Sequence, residues 1–306
     1  MEKVTVFAPN TVANVGCGYD VLGFALEGHG DEITLTIRED DRLVITDIIG
    51  ADLPTEPDKN VATVAIAAML EALGQKVGFD LVIKKSIPPG SGLGSSASSA
   101  AGAVFAANEL LGRPFTRTQL VAFAMEGERS SSGVAHADNV APCLLGGFTV
   151  VRSYHPLDVF SIPFPAQLRA VVMYPNVEMK TADAKRILKK QVLLSDAVTQ
   201  WGNVAGLVSG LITNDLTRVG RSMQDVIIEP VRAMLIPFYS EVKAAALRAG
   251  ALGFAISGSG PSTFAFTDDT KKAETILAEC EGVYARGGIP CIGFISGINQ
   301  QGARVI

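Results

Sequence analysis

The stretch Pro88-Pro89-Gly90-Ser91-Gly92-Leu93-Gly94-Ser95-Ser96-Ala97-Ser98-Ser99 constrains this chain more than any other. It follows Phe79 to Ile87, an alternating apolar segment that reads as a β-strand, and it runs into Ala100 to Leu111, which reads as a buried helix. Strand, glycines and serines, then helix is how a backbone builds an anion cradle. Glycines reach positive φ and turn successive N–H groups inward without an obstructing side chain. A helix start adds unpaired N–H donors and the positive end of its dipole. The hydroxyls of Ser95, Ser96, Ser98 and Ser99 can donate to phosphate oxygens or ligate magnesium, so the segment is expected to hold a nucleoside triphosphate. Two commoner phosphate motifs do not fit. The dinucleotide fingerprint needs a third glycine where Ser95 stands, and the Walker pattern needs a lysine, absent between Lys85 and Lys180. A glycine-rich turn capping an ordinary helix is the plainer alternative.

At 306 residues the chain exceeds the size at which a single core stops growing, so two domains are expected. A net charge of −5 argues against nucleic acid or an anionic membrane as the main partner, though not against a phosphate ligand held by a local positive site. The four cysteines (Cys17, Cys143, Cys280, Cys291) show neither zinc-like spacing nor a disulfide framework. Met1 to Phe7 begins as a strand without a signal-peptide pattern, and no apolar run is long enough to cross a membrane. The expectation is a soluble cytoplasmic protein.

Along the chain, Val4, Val6 and Ala8 start a first strand, and residues 8–23 read as an apolar glycine-rich loop holding Asn14 and Asp20. Asp31 to Arg38 and Leu43 to Ile48 read as two strands joined by a charged turn, and Val61 to Leu73 as a helix stopped at Gly74. A helix over Thr118 to Gly127 is followed by a loop, residues 126–139, rich in acids with His136 and Asn139. The proline-rich segment 154–165 suggests a boundary between domains at 1–164 and 165–306. Beyond it come a strand to Tyr174, a basic helix from Thr181, a long apolar helix over Val192 to Ile212, helical segments over Asp215 to Gln224, Val231 to Leu235 and Phe238 to Ala249, a strand–glycine turn–strand over 253–266, a surface helix over Thr270 to Glu281 and a closing strand over Cys291 to Ser296.

Residues 8–23, 88–99 and 255–265, in this order and spacing, resemble the three motifs of the GHMP kinase family over nearly the whole chain. His136-Ala137-Asp138-Asn139-Val140-Ala141-Pro142 and Ile228-Glu229-Pro230-Val231-Arg232 narrow the likeness to its homoserine kinase branch. The resemblance implies an α+β fold in two domains, a ribosomal-protein-S5-like N-terminal one and a ferredoxin-like C-terminal one, with the site between them. It also implies transfer of the γ-phosphoryl of ATP, with Mg²⁺, to the side-chain hydroxyl of L-homoserine in threonine biosynthesis, and a possible homodimer.

By that resemblance, Pro89 to Ser99 wraps the phosphates, Asn60 touches the nucleoside, and Ser96 joins an acid, Glu128 or else Glu126, on Mg²⁺. The amino-acid end is expected to use Asp20 for the ammonium and Arg232 as a bidentate clamp on the carboxylate. Asn14, His136 and Asn139 complete that pocket, with Lys185, or Arg186 beside it, as a second cation. Where several relatives carry a catalytic aspartate this chain has Asn139, and an amide takes no proton at neutral pH. The acceptor hydroxyl is therefore expected to attack directly, held by Asn14 and Asn139. A mevalonate- or sugar-type kinase and a silent nucleotide sensor are the alternatives.

Overall fold

In the computed structural model, which describes residues 2–177, 179, 184 and 186–306 (of Ser132 the backbone only), two sheets organise the chain. The first contains β1 (Lys3–Ala13), β2 (Leu22–Ile37), β3 (Leu43–Ile49), β4 (Phe79–Lys84), β5 (Phe148–Tyr154), β6 (Leu157–Ile162) and β11 (Arg304–Val305). Its order is β11-β1-β2-β4-β3, with β5 and β6 continuing from the first half of β2. The second sheet has the order β10-β7-β9-β8, from β7 (Arg169–Pro175), β8 (Gly253–Ile256), β9 (Thr263–Thr267) and β10 (Cys291–Ser296). The described residues thus form a mixed α+β fold.

Three strand expectations change. β1 runs on to Ala13, and β2 starts at Leu22, so only residues 14–21 remain as loop. From Ala8 onward every β1 side chain is buried, which erases the alternation that marks a strand in sequence. β2 and β3 do not pair as a hairpin: β3 lies parallel to β4, which separates it from β2. The charged turn between them is anchored sideways, Arg38 bridging Asp40 and Asp80.

Helices α1 (Val61–Leu73), α2 (Ser95–Leu110), α3 (Arg117–Ser132) and α4 (Ala137–Leu145) cover one face of the first sheet. α2 is buried on almost all sides because Ala, Ser and Gly let it press onto β1 and β2. A Cβ on Gly102 would stand 2.7 Å from Ile33 and 2.9 Å from Ala8. Between the two sheets lies an apolar junction in which the rings of Phe24, Phe148, Phe264 and Phe266 meet with centroids 5.0–5.9 Å apart. Helices α5 (Leu194–Thr213) and α6 (Leu216–Ser222) pack on this junction, while α8 (Tyr239–Arg248) and α9 (Thr270–Arg286) cover the outer face of the second sheet. The short α7 (Glu229–Arg232) leads from α6 into a 3₁₀ turn at Ala233–Leu235. The expected basic helix from Thr181 falls mostly outside the described residues.

Candidate active site

Helix α2 begins at Ser95, five residues earlier than expected, because Gly94 (φ +64°) closes the loop in the left-handed region. The serines therefore occupy the first helical turn, and their side chains diverge. Ser95 donates to the Ile87 carbonyl at 2.8 Å, Ser98 to the Pro9 and Gly94 carbonyls at 3.0 Å, and Ser99 to Asp31 at 2.9 Å. Leu93 and Ala97 point into the cores. Of the four hydroxyls expected at phosphate or metal, only Ser96 lines the central cavity without a protein partner among the described residues. The side chains of Leu93, Ala97 and Ser98 turn away from the cavity, because one helical turn cannot present five successive side chains to one side, so any contact of theirs with phosphate would be made by the main chain. Gly94 has no side chain to cap the helix, so the first-turn N–H groups keep their donor capacity.

The loop is braced from the second sheet. Ser257 donates to the Gly92 carbonyl at 2.7 Å, and the Ser262 N–H reaches the Ser91 carbonyl. A Cβ on Gly92 (φ +79°) would lie 2.6 Å from the Gly260 carbonyl oxygen, so this contact requires glycine. Behind the loop, Lys85 and Asp31 form an ion pair with side chains only 1% and 0% exposed. The Lys85 ammonium also donates to the Ser95 carbonyl (2.6 Å) and to Ser99 Oγ (2.9 Å), joining β2, the end of β4 and the first turn of α2.

The cavity measures about 690 Å³ and lies where the two sheets face each other across these loops. At one end are Leu53, Pro54, Lys59, Asn60 and Val61. Asn60 borders the cavity, but its amide caps α1: Oδ1 accepts from Ala62 N–H (3.0 Å), and Nδ2 donates to the Pro54 carbonyl (2.8 Å). In the middle are Pro89 to Gly92, Gly94 to Ser96, Ser99 and Glu128. Glu128 is 5% exposed, whereas Glu126 points away and pairs with Arg129 on the surface.

The far end gathers Asn14, Tyr19, Asp20, His136, Asp138, Asn139 and Arg232. Asn14 and Asp20 both have left-handed backbones (φ 56° and 55°). Asn14 braces that turn, accepting from the Asp20 N–H (2.8 Å) and donating to the Gly258 carbonyl (2.8 Å). Arg232 is 2% exposed; it donates to the carbonyls of Ala184 (3.3 Å) and Gly258 (3.0 Å), and its guanidinium carbon lies 4.9 Å from the Tyr19 ring centroid. Lys185 lies outside the described residues; Arg186 is exposed and does not line the cavity.

Sequence reasoning left Asp138 without a role, yet it is the most buried charge here, 1% exposed. Among the described residues its oxygens make no full hydrogen bond, although the N–H groups of Asn14 and Asp138 itself favour the anion. Burial, and secondly the charge of Asp20, push its carboxyl up to about 6. His136 Nδ1 stands 3.7 Å from Asp20 and 4.0 Å from Asp138, and one ligand atom from each of the three lies within 4.8 Å of the others. This corner suits a small cation.

A loop with an open helix N-terminus beside an acid-and-arginine pocket, set between the two sheets, fits a phosphoryl-transferring small-molecule kinase. The family profiles named GHMP kinases N terminal domain and GHMP kinases C terminal match residues 60–147 and 207–286. The chain is 47% identical to a homoserine kinase of Chloroherpeton thalassium over the whole of both chains, and 38% identical to one of Methanococcus vannielii over 95% and 98%. The crystal structure of homoserine kinase from Cytophaga hutchinsonii superposes with a TM-score of 0.97 at 50% identity, covering 100% of this chain and 98% of that one. The chain belongs to the GHMP kinase family.

Proposed function

We propose that the chain is an ATP-dependent homoserine kinase, and the observation that carries this is the far end of the cavity. A buried arginine lining the cavity and two carboxylates beside a histidine fit a zwitterionic amino acid, not a sugar or mevalonate. Relatives of full length bearing that name support the same reading.

In this reading the triphosphate lies along Pro89 to Ser96, its charge met by loop N–H groups and the first turn of α2. Glu128 and the Ser96 hydroxyl, both hard oxygen donors on one cavity, fit Mg²⁺ and would hold it; bound there, the ion neutralises charge on the phosphates. Asp138 and Asp20 take the ammonium, and Arg232 takes the carboxylate while stacked on Tyr19. The side-chain hydroxyl then points along the cavity toward the γ-phosphorus. Its oxygen forms the new bond to phosphorus as the bond to the β,γ-bridging oxygen breaks, ADP departs, and the hydroxyl proton passes to the transferred phosphoryl group or to water. Catalysis here is placement and charge stabilisation, consistent with an amide at Asn139. The Asn14 amide braces the pocket wall.

The test is ADP release with Mg²⁺ and L-homoserine, mevalonate, galactose or no acceptor. Turnover dependent on homoserine alone is expected, and Glu128→Gln should raise the Mg²⁺ concentration it needs. ATP consumption indifferent to homoserine would overturn the reading. Among the described residues no helix is long and apolar enough to cross a membrane. A cytoplasmic homodimer is the form this reading carries, checked by light scattering of the purified protein.

A further inference from the structure

Thr11 sits at the bulge of β1, fully buried, and neither sequence reasoning nor the cavity lining singles it out. Among the described residues its hydroxyl has a single partner: it donates to Asn139 Oδ1 at 3.0 Å, across 128 residues of sequence. Its own N–H donates to the Leu93 carbonyl, so the residue that grips Asn139 is also fastened to the phosphate loop. The fit above it is tight. A Cβ on Gly94 would stand 2.0 Å from Thr11 Oγ1 and 2.9 Å from Asn139 Oδ1, so Gly94 closes over this hydrogen bond.

An amide presents an acceptor at one end and two donors at the other. With Oδ1 occupied by the Thr11 hydroxyl, the end of Asn139 left for the cavity is Nδ2, whose N–H groups have no protein acceptor among the described residues. A donor there suits oxygens that gain negative charge as the phosphoryl group moves; an acceptor there would repel them. We propose that Thr11 is a positioning residue that fixes Asn139 with its amide nitrogen toward the transferring phosphoryl group. The inference rests on the kinase reading above and adds to it the side of the amide that works. It also explains why an asparagine serves without a base: the amide steadies charge and takes no proton.

The test compares Thr11→Val, isosteric but lacking the hydroxyl, with Thr11→Ser, which keeps it, each alone and with Asn139→Ala. Homoserine-dependent ADP release gives kcat and both KM values, and thermal melting reports folding. In Thr11→Val kcat should fall on the order of tenfold, about what one lost hydrogen bond is worth, with both KM values within about twofold of the parent. Thr11→Ser should keep most of the activity, and Thr11→Val should add nothing further to Asn139→Ala. An unchanged kcat in Thr11→Val, or the same fractional loss with Asn139 already removed, overturns the positioning role and leaves the kinase reading standing. Absence of homoserine-dependent turnover in the parent protein overturns both.

Discussion

Removing either member of the Lys85–Asp31 pair should destabilise the protein far more than removing both. The two side chains are 1% and 0% exposed, so neither can turn to water when its partner is lost. Asp31→Val leaves the ammonium with only the Ser95 carbonyl and Ser99 Oγ. Lys85→Met leaves the carboxylate with the Ser99 hydroxyl and a 3.2 Å contact from the Ser86 N–H. An uncompensated buried charge costs about 3–5 kcal/mol, whereas replacing a whole buried pair by apolar groups of similar volume is often close to neutral. At about 2–4 °C per kcal/mol for a unit of this size, each single variant should melt roughly 6–20 °C lower. The double variant should recover most of that loss, a coupling of at least about 2 kcal/mol in the cycle. Urea unfolding of the four proteins supplies the energies. Because Lys85 grips the first turn of α2 through Ser95, KM for ATP should rise in both singles, measured at a temperature where they remain folded. Single losses under about 1 kcal/mol, or a double loss equal to the sum, would refute the argument that the pair is dry and mutually dependent.

Asp138 gives a pH signature with a definite sign. Its carboxyl stands at about 6 instead of 3.8, so the folded state holds the proton more tightly than the unfolded one, and deprotonation disfavours folding. Relative to Asp138→Asn, the parent should lose on the order of 3 kcal/mol of stability as pH rises from about 4 to about 6. An ammonium ligand favours the anion, so kcat/KM for homoserine should climb through the same window. Asp138→Asn should flatten that limb while Asp20, His136, Tyr19, Tyr154 and Arg232 remain; a limb that persists unchanged assigns it elsewhere. Arg232→Lys should raise KM for homoserine on the order of tenfold or more, with a smaller change in kcat, because a point charge replaces neither the fork nor the stacking on Tyr19. Steady-state kinetics that show kcat falling instead would place Arg232 at the phosphoryl group.

What the sequence made legible was local. Gly90, Gly92 and Gly94 before an alanine-rich run announce a phosphate cradle because glycine's backbone freedom and a helix start act within a few residues. The α1 stop at Gly74 and the stretch His136 to Asn139 are local for the same reason, the latter placing three polar side chains at one helix start. The choice among the serines was not legible, since it depends on the register of α2: one residue's difference sends Ser95 and Ser98 to backbone carbonyls and leaves Ser96 at the cavity. The extended β1 and β2 were hidden because a strand covered on both faces loses its period of two. Lys85 was read only as the last lysine before a gap, and Asp31 only as a strand's first residue. Their separation of 54 residues is bridged by β2 and β4 lying side by side, which no composition or spacing reveals. Thr11 and Asn139, 128 residues apart, are the same case at the centre of the chemistry. The residues that touch ligands can announce themselves by type and clustering, but those that orient them are ordinary Thr, Lys and Asp whose meaning comes only from the partner the fold delivers. The site's working atoms are thus fixed by contacts between segments far apart in sequence, which is where substitutions with unremarkable sequence context should prove most damaging.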